Sequence, residues 1–139
     1  MIRKINFAPD VHEIKRIRDE FKIVLDEEKI ELNSEQLFYF EIVIGEIVSN
    51  AIKYGVKGPN ETMIFIIKAD RESVEFEMEY TGSNITQEDV EKYKNLPEES
   101  EVFNLKESGR GTFIVNKIMD NVEYKQSGNR SIVRMIKKI

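Results

Sequence analysis

The sequence predicts an α+β fold, a two-layer α/β sandwich in which one mixed, mostly antiparallel sheet is covered on one face by helices. Three observations predict it. Two stretches with helical spacing follow a short N-terminal strand, two adjacent strands come next with the second alternating strictly, and a further helix leads into a closing hairpin.

The elements run in this order. Ile2–Phe7 reads as a strand, after which Asp10 and Glu13 form a capping pattern. Val11, Ile14, Ile17, Phe21 and Val24 then recur at three- and four-residue steps, one helical face that runs to about Leu25. A second start appears where Asn33 is followed three residues later by Gln36, and the helix it opens extends to Tyr54 with Gly55 as its stop. This helix is apolar almost all round, which makes it central. Met63–Ala69 is an apolar run of strand length, and Asp70–Ser73 supplies a polar turn. In Val74–Tyr80, Val74, Phe76, Met78 and Tyr80 share one face, and Glu75, Glu77 and Glu79 the other. From Thr86 to Ser108 the chain is polar, with a short helix expected near Glu88–Tyr93 and a mobile loop at Leu96–Ser108. Gly111–Met119 reads as a helix, and Val122–Lys125 and Ile132–Ile136 as a hairpin turning at Ser127–Asn129.

At 139 residues the chain has the length of one domain, spanning residues 1–139. With no cysteine it offers neither a disulfide framework nor a thiolate site. Its longest apolar runs fall far short of the ~20 residues a membrane span needs, and no secretory signal precedes them, so a cytoplasmic location is expected. A net charge of -5 without a dense basic patch argues against nucleic acid as the main partner.

Three constellations can carry chemistry. Glu46 and Asn50 lie four residues apart, neighbours on one face of a mostly apolar helix. A carboxylate and an amide there call for a metal, a ligand or water, unless they form the solvent-exposed strip of the helix. Ser108-Gly109-Arg110-Gly111-Thr112 precedes an apolar helix, so backbone N–H groups and the positive end of the helix dipole would face an anion; taken alone, the segment reads more simply as a glycine turn that starts a helix. Tyr80-Thr81-Gly82-Ser83-Asn84 ends the alternating strand, with Gly82 and Asn84 tolerant of positive φ. His12 reads as solvated surface, and Glu98, Glu99 and Glu101 as a solvated charge run.

In this order and spacing the pieces resemble the GHKL superfamily of ATPases, whose sandwich is the Bergerat type. The nearest likeness is to the small anti-sigma-factor serine kinases. The likeness rests on Glu46-Ile-Val-Ser-Asn50-Ala-Ile-Lys-Tyr-Gly55, the glycine turn after a strand, a loop like an ATP lid, Gly109-Arg-Gly-Thr112 and the closing hairpin. Compact size, with no dimerisation or sensor segment, favours that branch over a sensor histidine kinase. The resemblance implies ATP and Mg²⁺ as cofactors, with Asn50 on the metal and Glu46 activating the attacking group. It implies that Gly109, Arg110, Gly111 and Thr112 cradle phosphate, and it places Ser131 where the family usually has a threonine near the base. The family's Asp-x-Gly-x-Gly pattern aligns its adenine-binding aspartate with Glu79 or with Tyr80. Strand register selects Tyr80, which continues the Val74, Phe76, Met78 series and sets Gly82 and Asn84 on the two glycines. The adenine anchor is then absent and a phenol ring partly fills its pocket. The expected partners are a sigma factor or similar regulator, a small antagonist protein carrying the phosphorylated serine, and a second copy in a homodimer. The alternative is a non-enzymatic partner-binding module that keeps the fold and has lost adenine recognition.

Overall fold

The computed structural model describes residues 1–58, 60–82 and 107–139, with the backbone alone at 107–110. Asn84, the helix expected near Glu88–Tyr93 and the loop expected at residues 96–106 lie outside the described residues.

Three helices are present among the described residues: α1 (Glu13–Glu27), α2 (Ser34–Tyr54) and α3 (Glu107–Ile118). The strands are β1 (Ile2–Phe7), β2 (Met63–Ala69), β3 (Ser73–Thr81), β4 (Asn121–Ser127) and β5 (Arg130–Lys138). They form one sheet in the order β1-β2-β3-β5-β4. Every pairing in it is antiparallel, which replaces the mixed sheet of the sequence reading. Alternation sets the two faces. Phe65, Phe76, Met78 and Met135 are buried on the inner face, and α1 and α2 meet them there through Phe21 and Phe40. The Phe76 ring stands edge-on to both, at 5.2 Å from Phe21 and 5.8 Å from Phe40, the offset geometry aromatic quadrupoles favour. Val115 and Met119 bring α3 onto the same cluster. The outer face is ionic. Glu77 lies directly opposite Arg134 on β5, whose guanidinium donates to it at 3.0 Å, and Glu79 pairs with Arg130 at 3.7 Å.

The helix starts show where local chemistry suffices and where it does not. Asn33 accepts from the Gln36 N–H while the Gln36 side chain accepts from the Asn33 N–H, a complete capping box. At α1 the expected cap fails. Asp10 spends its carboxylate on the His12 N–H at 2.9 Å and on the ring Nδ1 at 2.7 Å, a turn precedes the helix, and Val11 stands 55% exposed instead of joining the core stripe. His12 itself is solvated, as expected. No helix among the described residues is long and apolar enough to cross a membrane.

Helix α1 ends with Lys29 at φ 55, a left-handed backbone, and the Ile30 N–H reaches back to the Leu25 carbonyl at 2.9 Å. A side chain in that region costs roughly 1–2 kcal/mol, against 0.5–1 kcal/mol of extra chain entropy lost by glycine. Lys29→Gly is therefore expected to raise stability by about 0.5–1 kcal/mol, read as a higher urea midpoint at unchanged slope. A lower midpoint would show that the lysine side chain stabilises this end in another way.

Candidate functional site

The buried face of α2 carries Val43, Ile44, Ile47, Val48 and Ala51. Glu46 and Asn50 fall between these positions and are half-buried, one turn apart on the half of the helix nearer its C-terminus. Against them lies α3. Gly111 is buried on Glu46, and a Cβ at Gly111 would overlap the carboxylate oxygen Oε2. The glycine is thus what lets α3 approach that carboxylate, while Thr112 beside it is buried.

Helix α3 starts at Glu107, a turn earlier than the Gly111 start expected from the sequence. With Glu107 as the first helical residue, the N–H of residue 110 already closes the first i→i−4 bond, so within the helix the bare donors belong to residues 107–109. Gly109 is among them, whereas the Arg110 N–H lies in the ladder. Gly111 and Thr112 have their N–H groups inside the helical ladder, and Gly111 is a close-approach position.

The C-terminal end of α2 is tied to the end of β3. Gly55 leaves the helix in extended conformation and bridges Gly82, and the Val56 N–H donates to the Thr81 carbonyl at 2.8 Å. Gly82 sits at φ 143, where a Cβ would overlap the Tyr54 carbonyl oxygen and the Gly55 Cα. Only glycine fits. The Gly82 N–H donates to the Asn129 carbonyl at 2.8 Å, and its own carbonyl accepts from Ser131 Oγ at 2.7 Å and from Gln126 Nε2 at 3.1 Å. Ser131 Oγ is also 2.8 Å from Gln126 Oε1, so its single proton serves one of two acceptors at a time.

Tyr80 stands opposite Ser131 in the β3–β5 ladder and is 2% exposed. Burial pushes its phenol up to about 12, offset in part by the side-chain hydrogen bond with Ser131. It is neutral at physiological pH, which a family aspartate would not be. A second phenol lies nearby on β4: Tyr124, opposite Val133, is likewise pushed up to about 12 by burial. Its buried hydroxyl lies beside Asn116 and Thr112 with no well-aligned hydrogen bond. Sequence reasoning missed Tyr124 and Gln126. The alternation Val122, Tyr124, Gln126 along β4 places them on the inner face and was the available signal.

Two groups of contacts result: Glu46 lies on Gly111, next to Thr112, which neighbours Tyr124, while Tyr80 and Ser131 join Gly82 and Gly55 at the end of α2, with Asn50 one turn before that end. Asn84 is not among the described residues. Residues 7–137 match the family model of the histidine kinase-like ATPase domain, and the chain belongs to that family. The comparison with curated proteins returned no match.

Membership implies an ATP-binding module, and the two ends of the site fit a nucleotide differently. At the end where Glu46 and Asn50 lie, a carboxylate and an amide stand one turn apart. Among the described residues no cluster of three acidic or histidine side chains could hold a metal alone, and magnesium that shares phosphate and water oxygens needs no such cluster. At the other end Tyr80 buries a neutral ring and the Ser131 hydroxyl is already engaged by the protein, which does not suit recognition of a base by an ionised acceptor.

Proposed function

We propose that this chain is an anti-sigma-factor-type regulator that binds Mg-ATP, phosphorylates a serine on a small antagonist protein and sequesters a sigma factor or similar target, working as a cytoplasmic homodimer. The observation that carries the reading is the Glu46 carboxylate packed on Gly111, one turn from Asn50. Asn50 would hold magnesium by its amide oxygen, and the ion would neutralise phosphate charge. The donors at the start of α3, with Arg110, would hold the phosphates. Glu46 accepts the proton of the incoming serine hydroxyl, a task that requires its carboxylate to be held at one place. A magnesium-dependent nucleotide titration followed by calorimetry tests the reading; heat of binding that appears only with magnesium supports it, and none with any nucleoside triphosphate overturns it.

The burial of Tyr80 against Ser131 favours a second reading, a partner-binding module of the same fold that has lost adenine recognition and needs no phosphoryl transfer.

A further inference from the structure

Far from Glu46 and Asn50, the first turns of α2 border a groove of different chemistry. Gln36 and Asn50 are fourteen residues apart, about 21 Å along the helix axis. A cavity of about 420 Å³ opens there between α2, the end of α3 and the end of β5, walled by Tyr39, Phe40, Ile118 and Ile139. A second hollow of about 330 Å³ shares Gln36 and Ile139 with it and adds Ile30 and Leu32. The volumes are of ligand-site size; the wall of the first hollow is mostly apolar and that of the second is mixed. The rim is cationic. Lys117, Lys137 and Lys138 line the first hollow, Lys29 and Arg71 the second, and Glu31 is the single acidic side chain lining either. Asp120 takes up part of Lys137 at 3.1 Å, and the Lys117 ammonium lies 5.3 Å from the centre of the Phe113 ring, so the positive excess is reduced but not cancelled. On a chain of net charge -5 this is a local reversal of sign. Phe38 and Tyr39, 60% and 42% exposed, stand beside it with ring centres 6.2 Å apart. Large exposed aromatics next to an apolar trough are what interface anchors are made of.

We propose that this groove docks an acidic amphipathic peptide segment of a partner protein, with its apolar side chains in the two joined hollows and its carboxylates on the cationic rim. Cations at both ends of the groove fit carboxylates spread along a chain better than the single headgroup of a small amphiphile. The groove is separate from the nucleotide end, so it stands or falls without the kinase reading.

The test is fluorescence anisotropy with the full chain and a labelled synthetic peptide carrying leucine and phenylalanine at three- and four-residue steps and glutamate elsewhere. The same peptide with lysine for glutamate is the control. The acidic peptide is expected to bind at least ~10-fold more tightly than the basic one and to weaken as salt rises. Lys117→Glu with Lys138→Glu should weaken it a further ~10-fold while the melting temperature and nucleotide titration stay unchanged. Tyr39→Ser should weaken it independently of salt. Equal affinity for both peptides, or full binding by the double variant, overturns the proposal. So does displacement of the peptide by micromolar decanoate, which would assign the groove to a small amphiphile, or loss of a dimer in the double variant by sedimentation, which would assign it to a second copy.

Discussion

If the chain is a kinase, as proposed, Glu46→Gln is expected to lower phosphoryl transfer from Mg-ATP by roughly 10²–10⁴-fold, the usual worth of a positioned general base. The substitution keeps the side chain's volume and its place against Gly111, and removes only the capacity to take a proton. Nucleotide affinity should therefore stay within about twofold, so that kcat falls while the titration does not move. The measurement is transfer of labelled γ-phosphoryl in single turnover, set beside calorimetric binding of the same nucleotide. Asn50→Ala separates the neighbouring role. On the proposed reading it should weaken binding only in the presence of magnesium, because the lost amide oxygen would hold the ion and not the nucleotide. Equal, modest losses in both variants would mean that the two residues are simply the polar strip of α2.

The contact between Glu46 and Gly111 gives these expectations their structural basis. Two helices distant in sequence can bring a carboxylate and a helix start together only if one presents no side chain at the crossing. A glycine inside a helix costs about 1 kcal/mol relative to alanine, and α3 carries two, Gly109 and Gly111, within its first turns. Close approach to α2 offsets that cost at Gly111. The same reasoning holds at Gly82, where the φ of 143 and the nearness of the Tyr54 carbonyl exclude any other residue.

These particulars also explain how much could be read from sequence. The capping box at Asn33 and Gln36 was legible because both partners lie within four residues. The face of β3 that ends in Tyr80 was legible because a strand has a period of two and the alternation has no break. The start of α3 was not. Two glycines predict a later start by propensity, and only the packing of Gly111 on Glu46, 65 positions away, supports helix through them. Val11 fits the helical period of α1 by spacing alone, but the turn held by Asp10 and His12 puts it in solvent. The insertion of β5 between β3 and β4 is a non-local pairing, so the wholly antiparallel sheet and the approach of Tyr124 to Tyr80 have no short-range signal. The family itself was legible because its motif residues fall in short stretches of sequence, Glu46 to Gly55 and Gly109 to Thr112.

Tyr80→Asp is expected to tighten ATP binding roughly ten- to a hundredfold, since a hydrogen bond to a charged acceptor is worth about 1.5–3 kcal/mol. The wild type should bind weakly and with little preference for adenine over guanine, because a buried phenol with its pKa at about 12 cannot act as the acceptor a carboxylate would be. The substitution has a cost. Removing a ring that is 2% exposed and packed near Gly55 and Ser131 should lower stability by on the order of 3 kcal/mol, less if water fills the space. Tyr80→Asn controls for this: it opens the same volume without the charge, so the affinity ratio of the two variants isolates the carboxylate from the cavity. Calorimetric titration with ATP and GTP, alongside thermal melts, reads all of these quantities. Tight, adenine-selective binding by the wild type would make Glu79 or another group the anchor and favour the kinase. If neither wild type nor Tyr80→Asp binds, while the variant still melts cooperatively, nucleotide recognition is lost at the phosphate end as well and the chain is a partner-binding module.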